Sequence, residues 1–230
     1  MARYDAAGAL RFAVPFDTGA ADCAMDITVT AQGDIVTLVG SGMDGSCYSA
    51  TYEYQLSLGN NPHGLDRFSL RRVSADGVAG QESPLCDPCS TFAVGPLAVA
   101  TGAAGAVYIA GSFSETSTIA GNDMTAIGDE DVLVMKLGAA GAPVWIKRFG
   151  SPGTLGNATD VIVDAQGGIV VAGRFLGELP IGPTTHQSTS GNDIFLARLD
   201  PATGNPTWSR SFANANVIAP RASRRRATAS

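Results

Sequence analysis

The sequence predicts an all-β protein, a β-propeller made of four-stranded antiparallel blades, about three and a half of them in a partial or open array. Three observations predict it. Glycine (28) and proline (12) together make 40 of the 230 residues. That much punctuation argues against a helical bundle and for short strands joined by turns. Short stretches rich in Val, Ile and Phe alternate with period two and are bounded by Gly, Asp or Asn. Finally, the stretches recur. Turn glycines Gly33, Gly105 and Gly167 are spaced 72 and 62 residues apart, and Gly8, Gly77, Gly141 and Gly204 are spaced 69, 64 and 63 apart. Two independent landmarks with a common period of this length indicate an array of similar units.

The elements follow in order. Residues 1–17 (RYDAAGALRFAVPF within them) read as a half blade, the last two strands of a unit. Arg3, Gly8, Phe12 and Phe16 occupy the places of Lys136, Gly141, Trp145 and Phe149. Residues 18–82 form the first whole blade, opening with DITVTAQGDIVTLVG at Asp26 and closing with DRFSLRRVSADGVAGQES at Asp66, where Gln81 takes the tryptophan place. Residues 83–150 form the second, with AVATGAAGAVYIAGSF at Ala98 and DVLVMKLGAAGAPVWIKRF at Asp131. Residues 151–213 form the third, with DVIVDAQGGIVVAGRF at Asp160 and DIFLARLDPATGNPTWSRSF at Asp193. Gly33, Gly105 and Gly167 end AQG or AAG triplets, where a tight turn needs positive φ. A small sheet cannot hide both faces alone, so neighbouring copies are expected to stack.

The pattern D-x-F-x-A-R/K-L-D-x-x-G-x-x-x-W, then F, then D-V-x-V-D-A-x-G-G-I-V-V-A-G-x-F resembles the bacterial SBBP-type (seven-bladed β-propeller) repeat. The resemblance spans roughly residues 1 to 213, is best from Asp131 to Phe212, and is poorest from Ser41 to Thr91. It implies a propeller in an exported, secreted or cell-surface setting. It implies no catalytic residue.

The net charge of −6 opposes nucleic-acid binding by the body of the chain. No stretch approaches the roughly 18 apolar residues of a membrane span. Residues 214–230 read as a flexible basic tail carrying Arg221, Arg224, Arg225 and Arg226. A basic arm for acidic partners is the alternative there. Three and a half blades fall short of the usual four to eight. The chain therefore reads as a fragment of a longer product, as an open array, or as half of a homodimer that closes a ring.

The chemical candidates are few. Cys86-Asp-Pro-Cys89 is a CxxC, expected in a loop between blades. Cys23, Cys86 and Cys89 are expected in loops leaving a fourth strand, and Cys47 in a loop between second and third strands, on one propeller face. Cys23–Cys47 and Cys86–Cys89 disulfides fit that placement. Free thiols and a metal or redox site are the alternatives. His63 and His186 are expected as exposed loop residues. Asp66, Asp131 and Asp193 open each third strand and are expected to cap turns rather than hold calcium. Phe12, Trp145 and Trp208, followed four residues on by Phe16, Phe149 and Phe212, are expected to pack between blades. Asp26, Asp160 and Asp164 read as strand and turn residues rather than as a glycosidase pair. No cofactor is expected. The reading is a non-catalytic scaffold or binding module, with protein or glycan as partner. The runner-up is a polysaccharide-acting enzyme, a lyase or glycoside hydrolase.

Overall fold

A computed structural model describes residues 1–15, 21–42, 65–80, 82–87, 94–189 and 191–213. The described chain is all β apart from one short 3-10 turn at Ala103–Gly105. Strands β1 (Ala2–Tyr4) and β2 (Leu10–Ala13) form an antiparallel pair. Three four-stranded antiparallel meanders follow. The first is β3 (Ala21–Val29), β4 (Ile35–Gly42), β5 (Leu65–Val73) and β6 (Ser83–Cys86). The second sheet contains β7 (Val94–Thr101), β8 (Val107–Phe113), β11 (Asp131–Leu137) and β12 (Pro143–Phe149). The third sheet contains β13 (Leu155–Val163), β14 (Ile169–Leu176), β17 (Asp193–Leu199) and β18 (Pro206–Phe212).

Two features differ from the sequence reading. The first sheet does not stop at residue 82, because Ser83–Cys86 is its closing strand, with Phe68 opposite Cys86. Two hairpins are also inserted between second and third strands, where loops were expected. They are β9 (Thr116–Ile119) with β10 (Asn122–Thr125), and β15 (Glu178–Ile181) with β16 (Thr184–Gln187).

The turns explain the meanders. Gly33, Gly105 and Gly167 have φ of +89°, +72° and +82°, a region that L side chains rarely adopt. Asp164 shapes its own turn: its Oδ1 accepts N–H bonds from Gln166 (2.9 Å) and Gly168 (2.8 Å). Each first strand also carries a bulge, between Ala24 and Asp26, Pro96 and Ala98, and Ala158 and Asp160, which bends it at one repeat position.

Neighbouring sheets pack face to face, with first strands β3, β7 and β13 side by side. One core, built around Leu38, Phe68, Leu70, Ile109 and Leu133, fills the space between the first and second sheets. Another, built around Tyr108, Val134, Val171, Phe195 and Leu199, lies between the second and third. Asp26 staples the first two sheets, its Oδ2 accepting the Val99 N–H at 2.8 Å. Thr101 Oγ1 donates to the Val29 carbonyl alongside at 3.0 Å.

A second staple recurs between units. The Arg3 guanidinium donates to the carbonyls of Gly33 (3.1 Å) and Ala75 (3.0 Å) in the next unit. Arg72 donates to Gly105 (3.3 Å) and Gly138 (3.5 Å) in its own next unit. Lys136 Nζ donates to the Pro201 carbonyl (2.8 Å), which also accepts from Trp145 Nε1 (3.3 Å). Arg3, Arg72 and Lys136, at one repeat position, thus each hold a turn of the following sheet.

Candidate functional site

A buried polar constellation lies where the second and third sheets meet, at the end opposite the glycine turns. Four side chains build it. Ser112 sits near the end of β8, Glu130 immediately before β11, Asn157 in β13, and Arg174 near the end of β14. Ser112, Asn157 and Arg174 are buried. Ser112 Oγ donates to Glu130 Oε1 in a short hydrogen bond. Asn157 Nδ2 donates to Ser112 Oγ at 2.8 Å and reaches Glu130 Oε1 at 3.3 Å.

Backbone bonds fix Glu130 in place. Its N–H donates to the Thr154 carbonyl (3.1 Å), and its carbonyl accepts from Gly156 N–H (2.8 Å). This places Glu130 in a parallel bridge with Leu155 and ties the loop to the third sheet. Burial pushes the Glu130 carboxyl above its ordinary value, against the opposing pull of the Ser112 and Asn157 hydrogen bonds and the Arg174 charge. The result is a carboxyl of raised pKa beside a hydroxyl, an amide and a guanidinium. Such a set can bind a polar group by hydrogen bonds or carry a proton.

The adjacent aspartate fixes the turn of this loop. Asp131 is fully buried, its Oδ2 accepting the Ile127 N–H (2.8 Å) and its Oδ1 the Gly128 N–H (2.9 Å). A Cβ on Gly150 would collide with this carboxylate, and one on Gly128 would stand 3.0 Å from it. Asp193, also buried, accepts the Thr189 N–H at 3.2 Å in the third sheet. Asp66 lies at the second position of β5, but its side chain is outside the described ones.

The remaining candidates scatter. Cys23 and Cys86 are buried within β3 and β6, not in loops leaving a fourth strand. They fall in one cross-strand row, Cys23–Gly40–Phe68–Cys86, with two strands between them. At nearly 5 Å per strand step they are too far apart to bond one another. Neither is a free thiol. Cys47, Cys89, Phe16, His63 and the tail 214–230 lie outside the described residues.

Phe12 and Trp145 both lie over a turn glycine of the next unit, Gly77 and Gly204 respectively. In the first whole sheet Ser83 takes this role over Gly141. Phe149 is buried between the second and third sheets. Trp208 and Phe212 are exposed, and no described sheet covers them.

His186 was expected as an exposed loop residue and is instead buried in β16. Its Nε2 is 2.8 Å from Ser209 Oγ and its Nδ1 is 3.1 Å from Ser211 Oγ, both on β18. Burial lowers its pKa. The strands of the hairpin that carries His186 are only four residues each, with Pro180 in the first and Pro183 in the turn between them, so little in the sequence announces it.

Glu130 carries no pattern of its own within GDED, where it is one of three carboxylates. What would flag it is its place immediately before a capping aspartate in a loop that contains Gly128. Among the described residues no group of three or more His, Cys, Asp or Glu side chains could hold a metal ion. Nor is any helix there long and apolar enough to cross a membrane. No protein-family model matches the chain, and no curated protein matches it.

Proposed function

We propose that the chain forms β-propeller blades of the SBBP-repeat type and works as an exported or cell-surface scaffold or binding module without catalysis. The observation that carries this reading is how the half-buried cations and the two aspartates of the sheets are used. Arg3, Arg72, Lys136, Asp26 and Asp131 all bond backbone groups of neighbouring turns and strands. In these roles they hold turns and sheets together. The side-by-side first strands of three sheets fit a radial array, in which ligands are held at one face by the connections there. In this reading the face is the one carrying Glu130 and the two inserted hairpins, and its partner is a protein or a glycan. Disulfides Cys23–Cys47 and Cys86–Cys89 belong to the same proposal and suit an oxidising compartment.

A panel of glycans and polysaccharides, read for both binding and product release, tests it. Binding or silence without cleavage is expected. Turnover that Glu130→Gln abolishes would replace this reading with the second one, a polysaccharide lyase or glycoside hydrolase. The raised Glu130 carboxyl is the observation that favours this alternative, since a general acid must hold its proton near neutral pH.

A further inference from the structure

The outward face of the third sheet is built like an interior one. On it Ile162, Val170, Arg198 and Trp208 stand opposite one another across four strands. Leu196 lies two positions from Arg198 on β17, with Ile194 and Phe212 paired beyond it. Their counterparts in the second sheet are Ala100, Tyr108, Lys136, Trp145, Val134, Val132 and Phe149. Of these the apolar ones are packed in the core against the third sheet. On the third sheet the same positions meet solvent: Ile162 is 41% exposed, Trp208 43% and Phe212 50%. Arg198, the fourth cation of the staple series, turns back on Asp164 of its own sheet at 2.7 Å.

The other end of the molecule shows the complementary half of the joint. Gly77, Gly141 and Gly204 each lie under a side chain of the preceding unit, whereas Gly8 has nothing within 4 Å of the corresponding point. Beside it Tyr4 and Leu10 are register partners and are 61% and 56% exposed.

We infer that these two surfaces bind each other between copies of this chain, head to tail. Trp208 of one copy sits over the Asp5–Gly8 turn of the next, and Arg198 reaches that turn's carbonyls, repeating the joint that Trp145 and Lys136 make with the Pro201–Gly204 turn. The occupant follows from continuity: the same surface, one unit earlier, is covered by a sheet of this repeat. A contact between different patches closes into a ring when its rotation allows. An apolar sheet face left uncovered by the described residues is otherwise an aggregation hazard.

Sedimentation of the full chain from about 1 μM to about 100 μM tests the inference. A species of at least twice the chain mass is expected. Trp208→Asp and Tyr4→Asp should each sediment as monomers, with at least ~10-fold weaker association, while keeping a β-sheet circular dichroism spectrum. Mixing the two variants should restore a one-to-one complex, because each retains one intact end. Three results would overturn the inference: a wild-type monomer throughout, a Tyr4→Asp variant that associates like wild type because third-sheet faces meet each other, or a mixture that stays monomeric. If Trp208→Asp loses its fold, Trp208→Ser serves in its place.

Discussion

The indole of Trp145 lies against Gly204, so closely that a Cβ built on Gly204 would come within 2.8 Å of the ring. The contact joins the last strand of one sheet to the last turn of the next. Phe12 stands to Gly77 in the same way, its ring 2.7 Å from the corresponding point. The glycine in these turns therefore serves two purposes, a left-handed backbone and a flat seat for an aromatic ring.

Gly204→Ala should therefore cost more than Gly8→Ala. Both residues have positive φ, +71° and +82°, and each substitution pays the left-handed penalty of about 1–2 kcal/mol. Only at Gly204 is overpacking of about 1–3 kcal/mol added. Urea denaturation of the two variants, compared by midpoint at equal slope, checks the difference.

Asp131→Ala should destabilise the chain by about 2–5 kcal/mol, because it leaves two N–H groups without their buried acceptor. Asp131→Asn should recover part of this, since its side-chain oxygen still accepts one bond. Chemical denaturation of both variants gives the comparison.

Glu130 makes stability depend on pH in an unusual direction for a carboxylate. Its folded pKa is raised, so the stability it contributes is full below the ordinary value of 4.5 and is lost as pH rises through the folded value. Glu130→Gln should remove this loss and be as stable as wild type or more stable at pH 7. Melting curves across pH 4 to 8 should be flatter for the variant; an unchanged slope would contradict the assignment.

His186 acts the other way. Its folded pKa is lowered by burial, so its contribution is full above the ordinary value of 6.5 and declines as pH falls through that value toward the folded one. The ring is held by Ser209 and Ser211, with Phe175 packed edge-on at 6.4 Å and Leu179 opposite on the hairpin. Titration of the ring by NMR should give a pKa below the ordinary value. Ser209→Ala with Ser211→Ala should loosen the hairpin, read as faster amide exchange at residues 178–187.

The repeat was legible because its landmarks are glycines and aromatics with fixed spacing. Eleven of the twelve strands of the three sheets follow from them, as do the turns at Gly33, Gly105 and Gly167. The hairpins were not legible. Thr116–Ile119 and Asn122–Thr125 are four residues each, joined by Ala120 and Gly121, both with positive φ. An Ala-Gly pair there does the work usually signalled by Asn-Gly. In the other hairpin Gly182 (φ +63°) and Pro183 form the turn, and a proline reads locally as a break. The end of the first sheet was misplaced because Gln81 and Ser83 replace the tryptophan landmark. Glu130 and His186 depend on neighbours distant in sequence, Asn157 and Ser209 among them, so no local pattern encodes their surroundings.

The staple formed by Arg3, Arg72 and Lys136 reaches only the adjacent unit. Cooperativity in such a chain is nearest-neighbour, so its folding resembles a one-dimensional lattice more than a single all-or-none event. A lesion at Arg72 should weaken the first and second sheets and leave the third nearly untouched. Damage then decays with distance along the array, and a population of molecules can hold some sheets folded while others are open. For a protein facing proteases, the weakest joint rather than the average sheet sets the lifetime.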